Sequence, residues 1–276
     1  MLVEQDAEFR IQAEKFFGQY LNYLNKNGKD LNYAVDCYLK MLADIAYEHI
    51  KFIEKGKYSS SSFEEVHQRV YNNPEVMEYY MHGLLLSQFL WEQHYQILKF
   101  FTKGIMQRQQ RIDRYLEIGA GHGLYISEAI KLLGKDTSFD LVDISETSLN
   151  MSKEFIVEKD RVNFYKEDIY LYNKPGYYDF ITMGEVLEHV EKPLELLIKI
   201  NSLLCNSGEA FITTPTNAPA IDHITLFNNV QEIRDLLIRA NLVITEEVVL
   251  PSEKVTEEIA NELKITILYG AFVKKI

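Results

Sequence analysis

The chain has 276 residues, 47% hydrophobic and 25% charged, which suits one large α/β domain or a core domain with an accessory unit of roughly 100 residues. Its 6 prolines and 13 glycines are too few for long disordered linkers, and its formal net charge of −12 repels phosphate backbones and disfavours broad nucleic-acid binding. Cys37 and Cys205 have no CxxC partner and no ligand spacing, so free thiols and a cytoplasmic setting are expected.

The opening Met1-Leu2-Val3-Glu4-Gln5-Asp6 lacks a basic segment followed by an apolar one, so no signal peptide is expected. No apolar run approaches the roughly 20 residues of a membrane span. Phe9, Ala13, Phe16, Phe17, Tyr20, Leu21 and Leu24 recur at helical spacing, and Asn27-Gly28 ends that helix. A second helix begins near Asp30 and stops at Gly56. Ser62 and Glu65 have the spacing of a capping box. Asn73-Pro74 opens a further helix, expected to run to about Lys103. The aromatics of this region (Phe16, Phe17, Tyr20, Tyr23, Phe89, Trp91, Tyr95 and Phe100) read mostly as core. Lys103, Arg108, Arg111 and Arg114 form the only dense basic stretch and read as a solvated linker or helix end.

From Arg114 the pattern changes to short apolar runs alternating with helical segments. Strands are expected at 115–118, 139–142, 162–165, 178–183, 209–214, 242–250 and 263–273. Helices are expected at 122–133, 146–157, 193–204 and 229–240, with helical material between strand four and Val190. Such alternation implies a mostly parallel sheet covered on both faces, preceded by an all-helical unit over residues 1–105. Glu117-Ile118-Gly119-Ala120-Gly121-His122-Gly123 joins the first strand to a helix. Its glycines allow a sharp turn and let a ligand lie against the main chain. A dinucleotide fingerprint wants its last small residue at 124, where this chain has Leu, and no Gly-Lys-Ser/Thr follows for a phosphate loop.

With its later motifs, this loop resembles class I, Rossmann-like S-adenosylmethionine (SAM)-dependent methyltransferases of the small-molecule branch, over roughly residues 112–274. The resemblance implies SAM as cofactor and a methyltransferase domain over 106–276. It makes Glu117, Gly119, Ala120 and Gly121 a cofactor turn, in which Glu117 either faces the cofactor's ammonium or braces the loop. Asp143, in Val-Asp-Ile-Ser with Ile144, matches the acid that binds the ribose hydroxyls. Asp168, in Lys-Glu-Asp-Ile with Ile169, matches the acid that meets the adenine amino group. Met183, Gly184 and Glu185 match residues bordering the methionine portion.

Because the methyl group arrives activated, the protein mainly positions the acceptor and removes its proton, a task for histidine. His189 and His223, each following the carboxyl end of a strand, are the candidates. Glu185, Glu188 and His189 would share one face if a helix had begun there. With His223 they resemble the metal set of small-RNA 2′-O-methyltransferases and of some ubiquinone-pathway enzymes. No metal is assigned from sequence. The expected partner is a small-molecule acceptor of an O- or N-linked methyl group, without nucleic acid or membrane, and a homodimer is left open. Rivals are metal-assisted RNA ribose methylation and a non-catalytic SAM-binding protein. The helical unit is expected to act as a lid, with one or two of its aromatics touching substrate or cofactor.

Overall fold

The computed structural model describes residues 7–276, and the reading of the first six residues lies outside it. The chain opens with α1 (Ala7–Lys26) and α2 (Leu31–Lys55). Asp30 caps α2 by accepting the Tyr33 N–H, and Gly56 ends it in the left-handed region at φ 67°. Next come α3 (Phe63–Val66), a π-helical turn over His67–Tyr71, α4 (Pro74–Leu90) and α5 (Glu92–Arg108). Two expectations fail here. Ser62 makes no side-chain cap bond, so there is no capping box with Glu65. The expected helix from Pro74 to Lys103 breaks at Trp91, which is extended at φ −106° and ψ 128°. The Trp91 indole N–H donates to the Tyr38 hydroxyl at 2.8 Å, so an anchor to α2 outweighs helix propensity at a position without Gly or Pro.

The sheet region follows as β1 (Arg114–Ile118), α6 (Leu124–Leu132), β2 (Ser138–Asp143), α7 (Glu146–Phe155), β3 (Val162–Lys166), β4 (Tyr178–Gly184), α8 (Pro193–Leu203), β5 (Leu204–Thr216), α9 (Val230–Arg239), β6 (Leu242–Pro251), α10 (Glu257–Leu263) and β7 (Ile267–Lys275). Strand order is β3-β2-β1-β4-β5-β7-β6. The first five strands are parallel, and β7 runs antiparallel between β5 and β6. The last strand begins at Ile267 rather than at Leu263, which closes α10, a short helix capped by Thr256. The order reverses direction between β1 and β4, and such a switch point opens a crevice at the strands' carboxyl ends.

One face of the sheet carries α8 and α9 over Leu116, Ile118, Ile181 and Met183. On the other face a continuous apolar core joins the N-terminal helices to the sheet, from Phe16 and Leu24 to Phe211 and Phe272. Helix α5 lies directly on this face. Phe100 meets Phe272 at 5.1 Å between ring centres, and Phe101 meets Phe211 at the same distance. Gly104 is required there, because a Cβ would fall 2.0 Å from the Phe272 ring. The basic stretch is not simply solvated. Arg108 is buried and donates to Glu209 and Glu246, both at 2.7 Å, tying α5 to β5 and β6. Among the described residues no helix is long and apolar enough to cross a membrane.

Candidate active site

Three glycines after β1 take positive φ: Gly119 at 65°, Gly121 at 51° and Gly123 at 76°. Each also sits in restricted space. A Cβ at 119 would lie 2.6 Å from Val186, and one at 123 would lie 2.9 Å from the Ser152 hydroxyl on α7. The third glycine therefore marks the place where the start of α6 is pressed against α7, and this accounts for its position at 123.

Two carboxylates frame this turn. Asp143, at the end of β2, is buried and accepts the Ser145 N–H at 2.8 Å and the Gly121 N–H at 3.3 Å. No cation pairs with it among the described residues, and burial pushes its carboxyl up to about 6, partly offset by those N–H groups. Asp140, three residues earlier on the same strand, is the contrast. Lys174, Tyr178 and Asn163 hold its carboxyl below the ordinary range against the opposing effect of burial. Asp140 is thus satisfied inside the protein, whereas Asp143 is braced by backbone beside open space. Glu117, also buried, accepts the Tyr115 hydroxyl at 3.1 Å, and burial pushes it up to about 8.

Beyond β4 and β5 a second cluster forms. Glu185 leaves β4 at φ 54°, and only Leu187–His189 make a short 3₁₀ turn, so Glu185, Glu188 and His189 do not share a helical face. Glu188 is fully buried; its Oε2 accepts the Thr214 hydroxyl at 2.8 Å and its Oε1 has no hydrogen-bond partner. That oxygen lies 3.6 Å from His189 Nε2 and 3.9 Å from His223 Nε2. His189 Nδ1 is 3.0 Å from the Asp222 carbonyl, and His223 Nδ1 is 2.5 Å from the Ala218 carbonyl. A carbonyl only accepts, so both Nδ1 atoms carry the hydrogen and both Nε2 atoms keep a lone pair. Burial pushes Glu188 up to about 8 and His223 down to about 4. One ligand atom from each of Glu188, His189 and His223 lies within 4.8 Å of the others, which suits either a shared proton or a small cation.

Turn and cluster open into one cavity of about 630 Å³. Glu117, Gly119, Ala120, Gly121, Asp143, Ile144, Asp168, Ile169, Gly184, Glu185, His189 and His223 all line it. Met183 does not: it is fully buried among Ile118, Ile181 and Leu197 on the face under α8, one step of strand alternation away from Gly184. The Asp168 carboxylate accepts the Tyr170 N–H at 2.9 Å, which holds it at the rim. The opposite wall belongs to the helices and includes Phe63, Tyr71, Tyr80, Met81, Trp91 and His94. Of the aromatics singled out from sequence only Trp91 lines the cavity; Phe63, Tyr71 and Tyr80 carried no signal separating them from core. Asp222, next to His223 in the chain, lines it as well.

A family model described as a methyltransferase domain matches residues 90–246. The chain is 36% identical over 109 residues to a ubiquinone biosynthesis O-methyltransferase of Xanthomonas campestris, covering 39% of this chain and 45% of that protein. It is 28% identical over 117 residues to malonyl-[acyl-carrier protein] O-methyltransferase 1 of Ilyobacter polytropus, covering 42% of each. The chain thus matches less than half the length of these curated relatives. Among solved structures it is similar to the N-methyltransferase NodS of Bradyrhizobium japonicum in complex with S-adenosyl-L-homocysteine (SAH), with TM-score 0.56 and 11% identity over 78% of this chain and 99% of that one. The CurJ carbon methyltransferase gives TM-score 0.58 and 18% identity, covering 86% of this chain and 66% of that one. At such identities the likeness is one of fold.

Proposed function

The chain belongs to the methyltransferase domain family, and on that premise we propose that it is a SAM-dependent methyltransferase acting on an O or N atom of a small-molecule acceptor. The observation that carries this reading is the single cavity that joins the glycine turn and its unpaired acids to the Glu188–His189–His223 cluster. Bound SAM would supply an activated methyl group. Gly119, Ala120 and Gly121 would pass its backbone-hugging portion, Asp143 would accept its ribose hydroxyls, and Asp168 with Ile144 and Ile169 would border the adenine. Glu117, Gly184 and Glu185 would face the amino-acid end. Residues 1–105 are assigned the role of wall and lid, and residues 106–276 that of cofactor unit.

At the acceptor end the chain's own work is to orient and deprotonate. His189 Nε2, with its Nδ1 hydrogen held by the Asp222 carbonyl, is placed to receive the acceptor's proton. His223 is the second candidate base, one whose basicity burial lowers. The helical wall excludes water, which strengthens each of these contacts. Every residue named lies on one chain, so the reading does not depend on a homodimer. Calorimetry with SAM, SAH, NAD and ATP tests it: SAM and SAH should bind, and binding of NAD without either would overturn it.

A second reading rests on the two Nε2 lone pairs that converge on Glu188 Oε1. Glu188, His189 and His223 would then hold a divalent cation that orients an acceptor hydroxyl. Metal-free protein should lose turnover and regain it with added divalent ion under this reading. Unchanged turnover in the presence of chelator would leave the proton-transfer reading alone.

A further inference from the structure

The cavity is charged in one sense. Nine of its lining residues are aspartate or glutamate, and among the described residues that line it Lys192 is the one lysine or arginine. Lys192 is itself paired with Glu195 at 3.0 Å. Beyond the acids given to the cofactor, two remain at the acceptor end: Glu188, 0% exposed, and Asp222, 4% exposed. Each keeps one oxygen without a hydrogen-bond partner, Oε1 of Glu188 and Oδ1 of Asp222. Their other oxygens are occupied, since the Thr214 hydroxyl donates to Glu188 at 2.8 Å and the Tyr71 hydroxyl to Asp222 at 3.5 Å. The His189 ring is next to both acids, with Nε2 3.6 Å from Glu188 Oε1 and Nδ1 3.6 Å from Asp222 Oδ2. Aromatic rings of the helical wall complete the group. Tyr71 meets His189 at 6.3 Å between ring centres and Phe63 at 6.1 Å, and Tyr80 lines the same cavity. After burial, the Asp222 charge is the largest influence holding the Tyr71 and Tyr80 hydroxyls well above their ordinary range, which marks how closely the three are grouped.

Two buried carboxyl oxygens without a donor, and without a lysine or arginine beside them, call for a ligand that brings both hydrogens and positive charge. A hydroxyl acceptor offers one hydrogen and no charge, so it would leave one of the two oxygens unmet. A primary ammonium offers three hydrogens and the compensating charge, and neighbouring aromatic faces attract it further. An anionic acceptor would meet acids of its own sign. We infer that the acceptor is an amine on an apolar or aromatic body, bound as its ammonium, with Asp222 Oδ1 and Glu188 Oε1 accepting two of its hydrogens and the third directed at His189 Nε2. Met77, Met81 and Leu84 line the same cavity and suit the apolar body. For transfer, the ammonium gives that third proton to His189 Nε2, and the freed nitrogen lone pair bonds to the methyl carbon. The carbon–sulfur bond breaks with its electron pair left on sulfur, so a methylated ammonium and SAH result. The inference rests on the SAM reading above and narrows its acceptor atom from O or N to N.

The experiment is calorimetric titration of the full chain, loaded with SAH in the presence of chelator, with three probes that share one body: 2-phenylethylamine, 2-phenylethanol and phenylacetate. Wild-type protein should prefer the amine to the alcohol by about ten- to a hundredfold, the usual range for hydrogen bonds to a charged group, and should bind the carboxylate more weakly than either. Asp222→Asn, which keeps the shape and removes the charge, should lose amine affinity by about tenfold and leave the affinities for SAH and the alcohol unchanged. Glu188→Gln should act in the same direction. An alcohol or carboxylate bound by wild-type protein as tightly as the amine would overturn the inference even if a variant failed to fold, and so would an amine not bound at all. Variants that bind the amine as wild type does, or that lose amine and alcohol in parallel, would overturn it as well. Failure of wild-type protein to take up SAH in the loading step would instead be a failure of the SAM reading itself.

Discussion

At the scale of single residues, the site is a set of carboxyls held at unusual protonation by burial and left for a ligand to complete. Glu117 is the sharpest case. Burial raises its folded-state value from 4.5 to about 8, so in the empty protein it holds its proton at neutral pH. An incoming ammonium would favour the carboxylate, so SAH binding at about pH 7 should release up to about one proton. Calorimetry in two buffers of different ionisation enthalpy measures this, and Glu117→Gln should abolish the Glu117 share. The sign for stability follows from the same shift. Because the folded value is the higher one, the unfolded chain ionises first, and stability falls as pH rises from about 4.5 toward about 8. Glu117→Gln should therefore raise the melting temperature near pH 8 relative to wild type and matter little near pH 4.5, as thermal melts at the two pH values would check. The turn and its acids were legible in the chain because positive φ demands glycine and because acids at strand ends stand out. Met183 was misplaced because strand alternation has a period of two, and sequence does not say which face meets the ligand. His94 was illegible as a wall residue, since it reaches the cavity from the first turn of α5, which restarts after the break at Trp91.

Elements position these residues through a few close approaches. Gly123 lets the start of α6 reach α7, and a Cβ there would meet Ser152 at 2.9 Å in a left-handed backbone conformation. Gly123→Ala should cost about 1–3 kcal/mol of stability by denaturant unfolding and weaken SAH binding, because the turn shares that strain. Arg108 ties α5 to the sheet edge, and removing one partner of a largely buried pair leaves the others uncompensated. Arg108→Leu should destabilise the fold by about 3 kcal/mol, again read from denaturant melts, with little change in acceptor preference. The regular elements from β1 to β6 followed from hydrophobic period and turn residues. The end of α4 did not, since its cause is the Trp91–Tyr38 hydrogen bond between segments distant in sequence. Likewise, α10 was masked because its residues sit between two apolar strands and present only one fully buried side chain, Ala260.

For the whole molecule, the helical region and the sheet are not separable by packing. One core runs from Phe16 on α1 through Phe101 on α5 to Phe272 on β7. Removing residues 1–100 would expose this face, so the truncated chain should fail to fold cooperatively rather than persist as an inactive soluble domain; expression with circular dichroism would show which. The account as a whole requires that the turn after β1 and the acid closing β2 grip an adenosylated amino acid in the cavity between helices and sheet. Titration of SAH into wild-type protein and into Asp143→Ala tests this most directly. Saturable one-to-one binding by wild type, weakened at least about tenfold in the variant, is the predicted result. Absence of binding by folded wild-type protein, or equal binding by the two, would contradict it.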